Sequence, residues 1–248
     1  MPLDSLFGAI DRYSWKARIR PVILALLPII ALTAAAAPAL AHGNEEWLFV
    51  LAAGAVLLAE PLGRARGKQL ESSLFAGWGG KPTVQLLRYS GPMSETQLTY
   101  LRPRVQEIVG PSLPLPSAAE EAADPVKADE IYETASSVLR ARARALPGTH
   151  VLADQDGEYG FRRNALGLRG WAAAICLIAL LGMIGLAAWT GASGESVNGA
   201  AFVLWPVLII GDLGLLAFWF RVVRPAWVEE AAWEYAKQLY ETVGLTGA

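Results

Sequence analysis

Residues 168–190 read LRGWAAAICLIALLGMIGLAAWT, and after Arg169 this stretch has no charged side chain. A helix needs about 20 mostly apolar residues to cross the hydrocarbon core of a bilayer, which is about 30 Å thick. The stretch therefore predicts a transmembrane helix. Further apolar runs predict spans at 21–41, 47–62 and 201–220, of which 47–62 is the shortest. The sequence thus predicts a mainly α-helical, polytopic membrane protein.

The four predicted spans form two hairpins, because the spans of each pair are joined by a short loop, at 42–46 and at 191–198. Both loops contain glutamate but neither lysine nor arginine. The basic residues near the spans all fall on the opposite side; they are Arg12, Lys16, Arg18, Arg20, Arg64, Arg66, Lys68, Arg162, Arg163, Arg169, Arg221 and Arg224. Since lysine and arginine are concentrated in cytoplasmic loops, both termini are predicted to be cytoplasmic, in an inner membrane.

This topology divides the chain into a cytoplasmic N-terminus (1–20), a transmembrane hairpin (21–62), a cytoplasmic segment (63–167), a second hairpin (168–220) and a cytoplasmic tail (221–248). One alternative concerns the first span. Ala39-Leu40-Ala41 resembles the small-residue cleavage site of a signal peptide, although the preceding segment is long for one. We expect the first span to be retained; cleavage would leave three spans.

The segment 63–167 is predicted to be a small, mostly helical domain. Its N-terminal part continues the helix of the second span to Gly77, and 83–89 is either a strand or a helical turn. Ser94-Glu95-Thr96-Gln97 is a capping box that starts a helix. Pro103 predicts a break in that helix before Gly110.

A second helix of the segment is predicted to start at Asp124-Pro125, because aspartate is a good N-cap and proline is favoured at the first helical position. Its apolar stripe consists of Ile131, Ala135, Val138, Leu139 and Leu146. The stretch 150–159 is acidic and predicts a turn-rich loop. The tail 226–243 predicts an amphipathic helix that lies on the membrane surface or packs on the cytoplasmic segment.

The string Gly77-Trp78-Gly79-Gly80-Lys81-Pro82-Thr83 is the most distinctive motif of the segment. It is not a phosphate-binding P-loop, because Phe75 occupies the position of the first glycine and Pro82 separates the lysine from the threonine. Two interpretations remain. The first is a tight turn, and the second is an anion-binding loop of backbone N–H groups. The candidate anion-binding residues are Gly79, Gly80, Lys81, Thr83 and Arg88.

Two other groups are candidate functional residues. Arg162 and Arg163 lead into the third span and are either topology anchors or ligands for anionic groups at the membrane surface. Asp212 lies near the middle of the fourth span, between Gly211 and Gly214. A carboxyl group at that depth is costly and faces a bundle interior or a cavity. It is either an ion relay or an interhelical polar contact, for which Ser193 is a candidate partner.

The sequence has no recognisable catalytic or metal-binding motif, so we expect neither catalytic residues nor a metal site nor a cofactor. Cys176 is the single cysteine, and the two histidines, His42 and His150, fall on opposite sides of the membrane in the predicted topology. The near-neutral net charge of −2 gives no indication of nucleic-acid binding. The expected partners are the lipid bilayer and a second membrane subunit or further copies of the chain.

Several strings together resemble a set of uncharacterised bacterial membrane proteins that share a hairpin–loop–hairpin plan. They are Gly67-Lys68, Glu71, Leu74, Trp78-Gly79-Gly80, Pro82-Thr83, Leu87-Arg88, residues 128–133, and residues 159–164 with the sequence YGFRRN. The resemblance covers the loop and its junctions with the spans. It implies a bacterial setting and no particular activity.

Three function classes are compatible with this sequence. The first is a non-enzymatic sensor, effector or scaffold whose cytoplasmic segment binds a ligand or partner and whose spans respond, as an oligomer. The second is a small channel or transporter subunit that uses Asp212. The third is a membrane enzyme acting on lipid or nucleotide with Lys81, Arg88, Arg162 and Arg163. We favour the first, because the sequence has no catalytic constellation.

Overall fold

The computed structural model describes residues 11–40, 46–145, 150–192 and 199–245, and every regular element in these ranges is helical. The elements are α1 (Arg12–Ser14), a π-helical turn (Trp15–Ile19), α2 (Arg20–Leu40), α3 (Glu46–Gly77), α4 (Pro82–Gln85), α5 (Glu95–Val109), α6 (Ala118–Ala123), α7 (Pro125–Ala145), α8 (His150–Ala192), α9 (Gly199–Arg221) and α10 (Pro225–Leu245). The mainly α-helical class is confirmed, and α4 replaces the possible strand at 83–89.

Three helical segments within the described ranges are long and apolar enough to cross a membrane, namely Arg12–Ala36, His150–Ala192 and Val203–Arg221. The second of them contains the predicted third span, and the other two overlap most of the predicted first and fourth spans. The predicted second span forms the beginning of α3, which is not among the three. Most of the two predicted hairpin loops and the end of the cleavage motif, Ala41, lie outside the described residues.

The chain divides into two compact units. The first unit comprises Met1–Leu70 and Gly160–Val228, and the second comprises Glu71–Tyr159 and Glu229–Ala248. The helices α3, α8 and α10 contribute residues to both units. In the first unit, buried residues of α2, α8 and α9 form apolar cores, which include Val22, Ala25, Ala172, Cys176, Ala179, Met183, Trp205 and Trp219.

The outer surface of the first unit is apolar, which is typical of helices that contact lipid. Large aliphatic side chains on α8 and α9 are exposed, among them Ile178, Leu181, Val207 and Ile210. Exposing such a surface to water is unfavourable. Contiguous apolar patches of this kind mark sites of membrane or protein contact. This surface agrees with the membrane-spanning assignment made by length and composition.

Two glycines let α3 and α8 pack with almost no space between their backbones. A Cβ atom on Gly167 would lie 2.6 Å from the backbone nitrogen of Gly67, which is closer than a carbon atom can approach. The side chain of Asn164 fills the space beside Gly67, and its Nδ2 donates a hydrogen bond of 2.8 Å to the carbonyl of Ala17. Asn164 is buried, so this hydrogen bond ties the N-terminal helical segment to α8.

The second unit has its own apolar core, built from α4 to α7, the beginning of α8 and the end of α10. Its largest buried side chains include Leu87, Val105, Tyr132, Leu139, Leu239 and Tyr240. The predicted amphipathic tail therefore packs on this unit through Ala236, Leu239 and Tyr240. That contact decides between the two predicted positions of the tail in favour of packing on the protein.

Two predictions about the second unit are wrong. Residues 150–159 form the first turns of α8 instead of a loop, because Leu152 is buried in the core of the unit. Pro103 does not break α5, which runs unbroken from Glu95 to Val109. Pro103 is exposed, so the carbonyl that loses its N–H partner can be solvated.

The predicted stripe of α7 is also partly wrong. Ile131 is only partly buried and Val138 is exposed, whereas Ala128, Tyr132, Ala135, Leu139 and Ala143 face the core. The buried face is therefore centred on Tyr132, which sequence reasoning did not place in the core.

Because α3 and α8 are in close contact at Gly167, we expect one added methyl group at this position to destabilise the protein. We expect Gly167→Ala to lower the free energy of unfolding by about 1–3 kcal/mol, because the new Cβ atom would force two backbones apart. Thermal unfolding of the purified full chain in detergent measures the loss. Gly170→Ala is the matched control on the same helix, since a Cβ atom there meets nothing within 4 Å. Equal stability of the two variants would contradict the assigned packing.

Candidate functional site

The motif after α3 forms a glycine-capped turn. Gly79 and Gly80 have φ angles of 77° and 127°, a region that favours glycine. The N–H of Gly80 donates to the carbonyl of Phe75 over 2.8 Å, which closes the helix end as in a Schellman motif. The Gln85 amide then donates to the carbonyls of Trp78 and Gly80, each over 2.8 Å. The turn is therefore held by its own hydrogen bonds.

Arg88 connects this turn to α7. Its guanidinium group donates two hydrogen bonds to the Asp129 carboxylate, of 2.7 and 2.5 Å, and a third of 2.9 Å to the carbonyl of Gly79. The hydrogen bond to Asp129 raises the pKa of Arg88 above its ordinary value. A Cβ atom on Gly80 would lie 2.8 Å from Arg88 Nη2, so a larger residue would displace the guanidinium group in addition to straining the φ angle.

The other two members of the candidate anion site also have protein partners. Lys81 Nζ donates to the Glu133 carboxylate over 2.5 Å. Thr83 is buried, and its carbonyl accepts a hydrogen bond of 2.5 Å from the Tyr240 hydroxyl group. The positive charges of Lys81 and Arg88 thus face carboxylates of α7, and an anion would have to displace those carboxylates. This geometry favours the tight-turn interpretation.

The structure brings Gly79, Gly80, Lys81, Thr83 and Arg88 together in the second unit. Arg162 and Arg163 belong to the first unit, where each contacts neighbouring groups. The guanidinium group of Arg162 stacks on Trp227 and donates to the Trp227 carbonyl over 2.9 Å. Arg163 donates to the side-chain oxygen of Asn164. The anion-binding role of all seven residues stays a prediction.

A buried polar network that sequence reasoning missed lies behind the turn. Arg102, only 8% exposed, donates to the carbonyls of Leu87 and Pro116 and to the Tyr132 hydroxyl group. The Tyr132 hydroxyl group in turn donates to the Glu121 carboxylate over 2.6 Å. The available signal was a second capping box, Ser117-Ala118-Ala119-Glu120, which starts the short helix α6 that carries Glu121.

Burial and hydrogen bonding set the charge state of this network. Burial alone would raise the pKa of Glu121, but hydrogen bonds from the Tyr132 hydroxyl group and from the N–H groups of Tyr89 and Ser90 outweigh it. The pKa of Glu121 is therefore held below its ordinary value. Burial, together with the hydrogen bond to Glu121, raises the pKa of Tyr132 to about 12. The network consequently pairs a carboxylate with a neutral phenol and a guanidinium ion.

An open cavity of about 740 Å³ lies in the second unit, between α5, the segment before it and α10. Most of its wall is apolar or aromatic, formed by Leu86, Pro92, Met93, Tyr100, Leu101, Trp233 and the ring of Tyr240. Gln97, Lys237 and Glu241 add polar groups. Small-molecule sites typically have a volume of about 300–1,000 Å³ and a mainly apolar wall with a few polar groups. The cavity has both properties.

Asp212 of α9 is 3% exposed and lies beside the Cys176 thiol group of α8. Neither of its carboxylate oxygens has a hydrogen-bond partner of normal geometry within the described ranges. The predicted partner Ser193 lies outside them. Where the structure is described, no group of three His, Cys, Asp or Glu side chains is arranged to hold a metal ion.

No protein-family description, curated protein or solved structure matches this chain. The resemblance to uncharacterised bacterial membrane proteins therefore stays a prediction. The features of the chain that bear on its function are the cavity, the buried carboxyl group of Asp212 and the apolar surface.

The buried network predicts a defined pH dependence of stability. A group whose pKa is lowered by folding stabilises the protein above the carboxyl group's unfolded pKa, and this stabilisation is lost as the pH falls through the folded pKa. We expect Glu121→Gln to lower the free energy of unfolding by about 1–3 kcal/mol at neutral pH, because its amide NH₂ group would face hydrogen-bond donors.

The difference between Glu121→Gln and wild type should shrink once the pH falls below about 4, since Glu121 then becomes protonated in the wild type. Denaturation curves recorded across this pH range measure the effect. Glu130→Gln, an exposed position on α7, is the control and should match the wild type within about 0.5 kcal/mol. A gap between Glu121→Gln and wild type that is independent of pH would contradict the charged state assigned to Glu121.

Proposed function

We propose that this chain is a non-enzymatic sensor of a bacterial inner membrane, in which the second unit binds a small molecule in the cytoplasm and the first unit responds within the bilayer as part of an oligomer. The observation that carries the proposal is the open, largely apolar cavity of the second unit. Each of the helices α3, α8 and α10 has residues in both units, so a conformational change in one unit can be transmitted to the other along a continuous helix.

A four-span topology is part of this proposal. The beginning of α3 exposes a band of large aliphatic side chains, Val50, Leu51, Leu57, Leu58 and Leu62, each at least 60% exposed. Water would disfavour that band, whereas lipid would solvate it. The retained first span is supported by the burial of Val22 and Ala25 in the core of the first unit. Four spans place both termini and the second unit on the same side, which the distribution of basic residues makes the cytoplasm.

Cysteine accessibility in intact cells tests the topology. In a Cys176→Ala background, Asn44→Cys should react with a membrane-impermeant maleimide, whereas Lys127→Cys in the second unit should react only after lysis. The impermeant reagent reaches only the outer side of the membrane. Equal labelling of Lys127→Cys before and after lysis would mean that the beginning of α3 does not cross, which leaves three spans.

The walls of the cavity indicate the class of ligand. Met93, Tyr100 and Trp233 offer an apolar and aromatic surface, while Lys237 and Glu241 present opposite charges one helical turn apart on α10. Lys237 also forms an ion pair of 2.9 Å with Glu234, but both of these side chains are more than half exposed, so Lys237 stays accessible to a ligand. A molecule with an aromatic body and adjacent cationic and anionic groups complements both features. We therefore assign the cavity to a small zwitterion with an apolar or aromatic body.

Ligand-induced thermal stabilisation of the full chain in detergent tests this assignment. The probes are free tryptophan and phenylalanine, and the controls are their N-acetyl amides, which keep the aromatic body and lose both charges. Binding of a probe at 100 times its Kd would raise the stability by about 2.7 kcal/mol. We expect the free amino acids to raise the Tm and the amides to raise it less.

Variants of the cavity wall make the test specific. Lys237→Ala should abolish the advantage of the free amino acids over the amides, because the probe's carboxylate loses its partner. Lys127→Ala is the matched control, an exposed lysine of the same unit that does not line the cavity. Stabilisation that is the same in Lys237→Ala and wild type, or no stabilisation by any probe, would argue against the proposed ligand.

A further inference from the structure

A second feature, independent of the cavity, lies in the core of the first unit. The inward face of α9 is apolar at Trp205, Leu208, Ile209, Leu215 and Leu216. Asp212 interrupts this face and is 3% exposed. About nine residues, or 13 Å of helix, separate it from Arg221 at the end of α9, which places the carboxyl group well inside the apolar band.

Among the residues that the structure describes, no lysine or arginine acts on the Asp212 carboxyl group. From α8 it meets the Cys176 thiol group, and α2 contributes the apolar residues Val22 and Ala25 to the core that contains Cys176. Glu60 of α3, another carboxyl group of the first unit, forms an ion pair of 3.8 Å with Arg18. Two turns along α9 from Asp212, the indole N–H of Trp219 also lacks a partner within the described ranges.

An isolated carboxylate in such a place is far more costly than a neutral carboxylic acid. A metal cation would need several oxygen ligands, and the neighbours of Asp212 offer apolar groups and one thiol. A proton needs no further ligand. The packing of α8 against α9 seen here is therefore compatible with the protonated form and opposed to the ionised one.

We propose that Asp212, next to Cys176, is an intramembrane proton-binding site whose occupancy controls the packing of α8 against α9. With the proton bound, the two helices pack as in this structure. Loss of the proton favours a conformation in which the carboxylate reaches water. Gly211 and Gly214, next to Asp212 on α9, are exposed and a Cβ atom there would meet nothing within 4 Å, so neither position resists a change in the packing of α9. The inference does not depend on the ligand of the second unit.

Labelling with dicyclohexylcarbodiimide tests the proposal on the full chain in liposomes. This apolar reagent reacts with protonated carboxyl groups: the acid's proton moves to a carbodiimide nitrogen while the carboxylate oxygen bonds to the central carbon. Mass spectrometry of peptides locates the adduct on the wild-type protein itself. We expect one adduct on Asp212, with a rate that falls at least tenfold as the pH rises from about 6 to about 9.

Two variants complete the experiment. Asp212→Asn should not be labelled, and its Tm should be independent of pH over this range, because the amide mimics the neutral acid. Glu60→Gln is the matched control, which removes a half-buried carboxyl group of α3 in the same unit and should label like the wild type. The proposal is overturned if Asp212 is not labelled, if its labelling does not depend on pH, or if Na⁺ at constant pH blocks it, which would indicate a metal-cation site.

Discussion

The first unit depends on the contact between the backbones of α3 and α8 at Gly67 and Gly167. Only glycine permits this distance, and the space that remains is filled by Asn164, whose side chain reaches the carbonyl of Ala17. Glycine lets two backbones approach this closely, because it has no Cβ atom, and the polar side chain beside the contact bonds to the neighbouring segment. The N-terminal helical segment, α3 and α8 are consequently held at one point by van der Waals contact and a buried hydrogen bond.

The second unit is organised differently, around charges that are paired across its core. Asp129 and Glu133 of α7 face Arg88 and Lys81, and the buried Arg102 is satisfied by carbonyls and by a phenol that bonds to Glu121. Buried polar groups are tolerated only when they are hydrogen-bonded, so this network specifies one arrangement of α5, α6 and α7. The carboxylates of α7 therefore bind the two cations beside the glycine turn, whereas the largely apolar cavity beside α10 remains accessible to a ligand.

The polar groups of the two units differ in one respect that bears on function. In the second unit the buried charges are matched with partners, which favours rigidity. In the first unit, the Asp212 carboxyl group and the Trp219 indole N–H have no hydrogen-bond partner among the residues that the structure describes. An unsatisfied buried group costs free energy that packing elsewhere must offset, and groups of this kind are concentrated at sites that change state. This difference is the reason for proposing that the first unit responds and that the second unit binds the ligand.

Local patterns in the sequence determined the helical class, the long apolar segments, the Ser94 capping box, the Asp124-Pro125 start and the glycine end of α3, because each depends on residues within one or two turns. Asp212 was identified by its charge within an apolar run, which is also a local signal. Only the tertiary structure decided that residues 150–159 are helical, that Tyr132 faces the core and that the tail packs on the second unit. It alone paired Arg88 with Asp129, 41 residues away, and Asn164 with Ala17, 147 residues away. Such pairs depend on which helix faces meet, and that is set by the packing of the whole chain.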